Sequence, residues 1–193
     1  MDNKILFGIG GIIIGAFIIS LIGSVAPFKS ANISMMSNID AHFIEQMIPH
    51  HDGAIAMAEL ALEKSKRSEI KTLASAIIES QSKEIVDMTS WYKNWFSKDV
   101  PKGNTGMMGG GMMSGRGMHM GGQEDMQTLE NAVDFDKAFI EAMIPHHQLA
   151  VMMAQMLKSG TDRQEMLTLA DNIIESQSKE IEDMQSWYKS WYK

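Results

Sequence analysis

Two stretches of nearly the same sequence decide the fold: residues 43–58 read FIEQMIPHHDGAIAMA, and residues 139–154 read FIEAMIPHHQLAVMMA. Apolar and histidine positions recur in both at alternating steps of three and four, which places side chains on one face of an α-helix. In the first copy this face holds Phe43, Met47, His50, Ala54 and Met57. Each stretch therefore predicts an amphipathic helix that turns methionine and histidine towards a core.

A second helix follows each stretch and completes a hairpin. Residues 77–95 read IIESQSKEIVDMTSWYKNW, and residues 173–191 read IIESQSKEIEDMQSWYKSW. Residues 40–97 align without a gap with residues 136–193, at an offset of 96, and about 33 of the 58 positions are identical. Polar residues at 64–68 and 159–161 are expected to separate the helices of each hairpin. Asp40 and Asp136 are expected to cap the first helices.

One hairpin alone cannot bury its apolar stripes well, whereas two hairpins can do so by packing together. The predicted fold class is therefore all-α, a ferritin-like four-helix bundle built from two tandem helical hairpins. The repeats are assigned to residues 36–98 and 131–193.

The start of the chain is typical of a membrane anchor. Residues 5–26 form an uncharged, largely apolar run of about 22 residues, long enough to cross about 30 Å of hydrocarbon as a helix. A cleaved signal peptide is the alternative, because Ser24-Val25-Ala26 fits the small-x-small rule. Pro27 would follow that cut and disfavours it. Residues 1–27 are predicted to be one N-terminal transmembrane helix or an uncleaved signal. The N-terminus is then cytoplasmic and the remainder periplasmic or extracellular.

Glycine and methionine dominate the segment between the repeats. Residues 102–122 read KGNTGMMGGGMMSGRGMHMGG, with six Met and one His. Glycine at this density favours a flexible linker, assigned to residues 99–130. Met118, His119 and Met120 are predicted copper ligands within it, and low-complexity drift is the alternative interpretation.

The motif M-x-x-H-H, followed by a later methionine, is the strongest candidate for a metal site. On a helix, the methionine lies one turn before the histidines. Thioether sulfur and imidazole nitrogen form a soft to borderline donor set that suits copper, with Cu(I) favoured, whereas Mg²⁺ and Ca²⁺ prefer oxygen. Zinc bound through the histidines is an alternative, although thioether sulfur adds little for zinc. Ordinary core packing of the same residues is the competing interpretation. The predicted metal ligands of the two repeats are Met47, His50, His51, Met57, Met143, His146, His147 and Met153.

Polar residues also occur on the apolar face of each second helix, at Gln81 and Glu84 and again at Gln177 and Glu180. Burying them without partners would cost several kcal/mol. A histidine of the facing helix, or a metal ion, would relieve that cost. A wetter interface, or a rotated helix, is the alternative.

Composition excludes several classes of function. The chain has no cysteine, which rules out disulfides and thiolate chemistry. Its formal net charge of −7 argues against nucleic acid as a partner. No phosphate-binding loop or hydrolase motif is recognisable. Methionine is unusually frequent, with 19 residues, and its placement rather than its number carries the argument.

The combined pattern F-x-x-x-M-I-x-H-H-x-x-A-x-x-M and Q-x-x-E-I-x-x-M-x-x-W resembles the bacterial domain-of-unknown-function family 305. The resemblance covers nearly all of residues 40–97 and 136–193. It implies a ferritin-like helical bundle, exported or membrane-anchored, and some members of the family are linked to copper binding and resistance. The family's M-x-x-H-H falls on the two motifs described above, and its later methionine falls on Met57 and Met153.

Together these features predict a membrane-anchored, extracytoplasmic copper-binding protein that buffers, sequesters or transfers Cu(I), and that is not an enzyme. A copper transporter or chaperone is the partner expected for transfer, and a homo-oligomer is an open alternative. A ferritin-like di-metal oxidase or peroxidase is less favoured, because the Glu-x-x-His spacing of such sites is missing. A metal-free helical interaction module is the third hypothesis.

Overall fold

The computed structural model describes residues 28–101 and 123–192. Within them the chain forms five α-helices: α1 (Phe28–Lys64), α2 (Ser68–Phe96), α3 (Gln123–Glu130), α4 (Phe135–Lys158) and α5 (Gln164–Tyr192). Helices α1 and α2 form one hairpin, α4 and α5 form the other, and α1 packs against α4. The prediction of an all-α chain with two tandem hairpins is confirmed for these residues.

The hairpins pack so that each core cluster draws on both repeats. The first core cluster combines Ala54 and Met57 of α1 with Phe139 and Met143 of α4. The second core cluster likewise combines residues of both repeats, among them Phe43 and Met47 of α1 and Ala150 and Ala154 of α4. Hence the C-terminal half of α1 lies beside the N-terminal half of α4, and the N-terminal half of α1 lies beside the C-terminal half of α4. Helices α1 and α4 are therefore antiparallel, and a pseudo-twofold relation connects the repeats.

Equivalent turns join the helices of each hairpin. The hydroxyl oxygen of Ser65 accepts a hydrogen bond of 3.1 Å from the backbone N–H of Arg67, and Thr161 does the same for Arg163. Such hydroxyl-to-backbone bonds stabilise tight turns. Both turns fall where the polar residues predicted a break between helices.

The N-caps predicted at Asp40 and Asp136 were wrong. Helix α1 begins at Phe28, so Asp40 lies inside it. Helix α4 is capped by Asp134, whose carboxylate accepts a hydrogen bond of 3.1 Å from the backbone N–H of Lys137. The two predicted caps instead face arginines of the opposite hairpin, because their side chains are buried at the contact between hairpins.

Helix α3 lies within the range predicted to be a flexible linker. Its Leu129 is 3% exposed and belongs to the first core cluster, against which Met126 also packs. The spacing of three places both side chains on one face of the helix. The linker prediction was therefore wrong for residues 123–130, because this short segment gains burial against the bundle.

No helix in residues 28–101 and 123–192 is long and apolar enough to cross a membrane. The anchor predicted for residues 1–27 lies outside the described residues, and it stays a prediction.

Candidate metal centre

The four histidines predicted as ligands meet at the middle of the contact between α1 and α4. The rings of His50 and His146 stack, with centroids 3.7 Å apart and 16° between their planes. The centroid of His51 lies 6.4 Å from that of His50, and that of His147 lies 6.2 Å from that of His146. His51, His146 and His147 are fully buried. The fold thus joins the motifs of two repeats into one group, which we call the histidine cluster.

Prolines precede both pairs of histidines without ending the helices. Helix α1 continues through Pro49, and α4 continues through Pro145. Pro49 is exposed, while His51 is buried. The proline therefore occupies the outer side of α1, and the histidine pair is turned inward.

Each of the fully buried second histidines is held by a glutamate of the neighbouring helix. Nε2 of His51 lies 2.6 Å from Oε2 of Glu84, and Nε2 of His147 lies 2.6 Å from Oε2 of Glu180. An ionised carboxylate only accepts hydrogen bonds, so in the neutral imidazole Nε2 donates and Nδ1 keeps its lone pair. Nδ1 of both histidines is buried without a hydrogen-bond partner among the described residues. This is the arrangement in which a carboxylate orients a metal-binding imidazole.

Further polar atoms of the core have no partner among the described residues. They include Nε2 of His50, both ring nitrogens of His146, and Oε1 of Gln81 and of Gln177. Each such buried atom costs on the order of 1–3 kcal/mol unless something binds to it. Several ring nitrogens share this property at one place, so the histidine cluster differs from a core in which the protein satisfies every polar atom.

The stacked histidines are neutral at pH 7. Burial, followed by the neighbouring His51, lowers the pKa of His50 from 6.5 to about 4. Burial, followed by the adjacent His50, lowers the pKa of His146 to about 2. Neutral imidazole is the form that binds metal ions, so these two side chains need not lose a proton first.

The methionines predicted as ligands fall into two sets that cross the repeats. Met57 and Met143 are buried in the first core cluster, and Met47 is buried in the second, against which Met153 packs. The two methionines of one repeat are therefore in different clusters. Met47 of the first repeat lies with Met153 of the second, and Met57 of the first repeat lies with Met143 of the second. The sequence grouping within one helix did not anticipate this exchange.

Two further methionines, which are not among the predicted ligands, lie in equivalent buried positions. Met88 is fully buried in the second core cluster, and Met184 is fully buried in the first. Each stands four residues after the glutamate that holds a histidine, in the repeated motif Q-x-x-E-I-x-x-M. That spacing of four places each methionine on the same helix face as the glutamate.

His, Asp and Glu side chains by themselves do not make up a complete metal site among the described residues. Among the described residues, no three or more His, Asp or Glu side chains are placed so that they could hold one metal ion. A metal ion at the histidine cluster would therefore need donors other than these three residue types.

A surface groove leads towards one histidine–glutamate pair. It has a volume of about 660 Å³ and lies between α2 and α5. Glu84 lines this groove, and its side chain is 16% exposed, whereas His51 is fully buried behind it. The carboxylate therefore connects the buried imidazole with the solvent.

Arginines at the two turns fasten the hairpins to each other. Nε of Arg163 donates to Oδ2 of the buried Asp40 at 2.9 Å, and its guanidinium lies 4.2 Å from the ring centroid of Trp95. Arg67 makes the equivalent contacts. Its Nε lies 3.9 Å from Oδ2 of Asp136, and its guanidinium lies 3.8 Å from the ring centroid of Trp191. Both arginines recur at the repeat offset, a signal that sequence reasoning missed. The tryptophan rings thus serve in packing and cation–π contacts between hairpins.

Tyrosines fasten the two helices within each hairpin. The hydroxyl of Tyr92 donates to Glu45 at 2.5 Å, and that of Tyr188 donates to Glu141 at 2.5 Å. Burial, followed by the bond to Glu45, raises the pKa of Tyr92 to about 12, so this hydroxyl keeps its proton. These bonds hold each second helix in register against the helix that carries the histidines.

Three predicted ligands, Met118, His119 and Met120, lie outside the described residues. Their role in binding copper stays a prediction.

Solved structures of similar sequence include copper-bound forms of one protein, CopM. CopM in the Cu(I)-bound form is 46% identical to this chain, covers 80% of this chain and 98% of its own, and has a TM-score of 0.69. Structures of CopM in Ag-bound, apo and Cu(II)-bound forms are similarly close. A DUF305 fragment from Deinococcus radiodurans is 27% identical, covers 79% of this chain and 96% of its own, and has a TM-score of 0.65.

A curated relative is similar over a shorter length. The uncharacterized protein L153 of Acanthamoeba polyphaga mimivirus is 43% identical over 51 residues, which is 26% of this chain. This chain spans about a third (34%) of that relative's length. The family model described as a domain of unknown function, DUF305, matches residues 40–188, which include both hairpins. On the strength of this match the chain belongs to the DUF305 family.

Proposed function

We propose that this protein binds copper, as Cu(I), at the histidine cluster and the buried methionines beside it. The observation that carries the proposal is the group of buried ring nitrogens without hydrogen-bond partners among the described residues. Those of His51 and His147 are oriented by glutamates, and those of His50 and His146 belong to neutral rings.

The donor set favours a soft ion. Imidazole nitrogen and thioether sulfur suit Cu(I), and neither of them adds negative charge to the buried site. The predicted ligands of the bundle are Met47, His50, His51, Met57, Met143, His146, His147 and Met153. The two glutamates would act through the histidines by fixing their orientation.

Similarity to CopM supports the choice of metal. Its structures are described as bound to Cu(I), to Cu(II) and to silver, and it shares 45–46% identity with this chain. Silver(I) has the same charge and the same preference for soft donors as Cu(I). Both metals are therefore suitable probes for this protein.

The physiological role that we propose is buffering, sequestration or transfer of Cu(I) outside the cytoplasm. In this proposal residues 1–27 anchor the protein in the membrane, and Met118, His119 and Met120 capture the ion for the bundle. A copper transporter or chaperone would be the partner in transfer. No catalytic step is part of the proposal.

The test is a Cu(I) titration of the full-length protein in competition with a chromophoric chelator. A variant with His50, His51, His146 and His147 changed to alanine is expected to lose competitive binding. His42→Ala is the matched control, because His42 is an exposed histidine of the same helix. It is expected to bind as the wild type does. Equal binding by the wild type and the fourfold variant would refute the proposed site.

A second variant separates loss of ligands from loss of folding. Met47→Leu with Met143→Leu removes two sulfurs but keeps side chains of similar volume, a change that cores usually tolerate. Its circular dichroism spectrum is expected to match the wild type, while its Cu(I) affinity falls. An unchanged affinity in this folded variant would exclude these thioethers as ligands.

A further inference from the structure

Helix α4 exposes two methionines that the proposed centre does not use. Met152 is 45% exposed and Met156 is 64% exposed, although most large apolar side chains of the described residues are buried or partly buried. The equivalent positions of the first repeat hold Ala56 and Leu60. The pair is therefore specific to the second repeat and does not follow from the packing that the repeats share.

The spacing brings the two thioethers together on the helix surface. Residues at positions i and i+4 of a helix are neighbours on one face, with Cβ atoms about 5–6 Å apart. Methionine side chains are long and unbranched, so their sulfurs can approach one ion from both sides. A thioether carries no proton that must be lost, and it favours a soft ion such as Cu(I) over harder cations.

A third methionine leads from this surface pair towards the interior. Met153 is partly buried and packs against the second core cluster, in which Met47 and Met88 are fully buried. Sulfur is thus present at the surface, at an intermediate depth and in the core on this side of the bundle.

The opposite side lacks the outer part of this series. Met57 is the counterpart of Met153 and is only 2% exposed. The residues beside it that correspond to the surface pair, Ala56 and Leu60, contain no sulfur. The two ends of the pseudo-symmetric bundle therefore differ in their access for a soft ion.

We propose that Met152 and Met156 form a surface site for a soft monovalent ion, Cu(I) or Ag(I), from which Met153 passes the ion to the second core cluster. This inference rests on the proposed function, since it needs a buried destination for the ion. It assigns the entry of metal to one end of the bundle, on the second repeat.

The test uses full-length protein with ¹³C-labelled methionine methyl groups, titrated with Ag(I). As Ag(I) is added, the resonances of Met152 and Met156, assigned from single leucine variants, are expected to shift before those of the buried methionines. In the variant M152L/M156L the surface site is lost, and the resonances of the buried methionines are expected to shift more slowly after each addition. A56M/L60M is the matched gain-of-site variant, and a new pair of shifted resonances is expected on α1.

The outcomes separate this inference from the proposed function. If M152L/M156L takes up Ag(I) with wild-type stoichiometry and rate while the core histidine variant fails to bind, the entry site is refuted and the proposed function stands. If the surface pair binds Ag(I) but the buried methionines never respond, the surface site stands and its destination is refuted. If M152L/M156L changes only self-association or partner binding, the pair is a protein contact and the inference is overturned.

Discussion

Acid should destabilise the metal-free protein through its two stacked histidines. Burial holds the pKa of His50 at about 4 and that of His146 at about 2, compared with 6.5 in an exposed histidine. Above pH 6.5 neither state binds these protons, so the stabilisation is complete there. As the pH falls below 6.5, the unfolded chain binds protons that the folded protein excludes. The loss grows until about pH 4 for His50 and until about pH 2 for His146.

The magnitude follows from the pKa difference. At about pH 4.5 the solution is about two pH units below the pKa of the unfolded histidines, and each unit is worth about 1.4 kcal/mol. Each ring therefore lowers the free energy of unfolding at this pH by about 2.5 kcal/mol, and the pair lowers it by about 5 kcal/mol. This is a large part of the 5–15 kcal/mol that typically stabilises a domain.

Urea denaturation followed by circular dichroism, with a metal chelator present, measures the free energy of unfolding at about pH 7.5 and about pH 4.5. The double variant His50→Leu/His146→Leu is the control, because it keeps the titrating carboxylates and removes the two rings. Wild-type protein should lose about 5 kcal/mol more than this variant between the two pH values. An equal loss in both proteins would refute the assignment of acid sensitivity to the stack.

Four other substitutions test the supports of the site. Arg163→Ala should lower the free energy of unfolding by about 2 kcal/mol, because it leaves the buried Asp40 without its donor. Arg67→Ala should lower it by less, because the ion pair of Arg67 is longer. Equal losses of the two variants in urea denaturation would contradict this. Tyr92→Phe should cost about 1 kcal/mol through the lost bond to a carboxylate of α1, measured by thermal unfolding. Glu84→Gln should weaken Cu(I) binding about tenfold in chelator competition with little change in folding; unchanged affinity would show that the carboxylate does not orient the ligand.

Local sequence predicted the helices because their apolar spacing and polar breaks act over a few residues. The break between α1 and α2 was predicted at 64–68, and α1 ends at Lys64. The beginnings of helices were predicted less well. Asp40 has the chemistry of an N-cap, but the residues before it continue the helix, and the carboxylate meets Arg163 across 123 positions of sequence. A partner so distant in the chain cannot be found from local spacing.

Several members of the site were also predictable from sequence. The repeated M-x-x-H-H indicated the histidines, and Glu84 on an apolar face indicated that a buried partner was needed. The structure supplies that partner, His51, at 2.6 Å. The groups that would bind one ion together were not predictable, because methionines of the two repeats mix in each core cluster.

The sequence by itself therefore determined a duplicated helical hairpin with buried histidine and methionine, since both follow from periodicity and residue chemistry. Only the tertiary structure decided that His50 stacks on His146 and that Met57 shares a cluster with Met143. The physical reason is the antiparallel packing of α1 against α4. That packing places the C-terminal half of α1 beside the N-terminal half of α4, and it is set by the fit of whole helix faces.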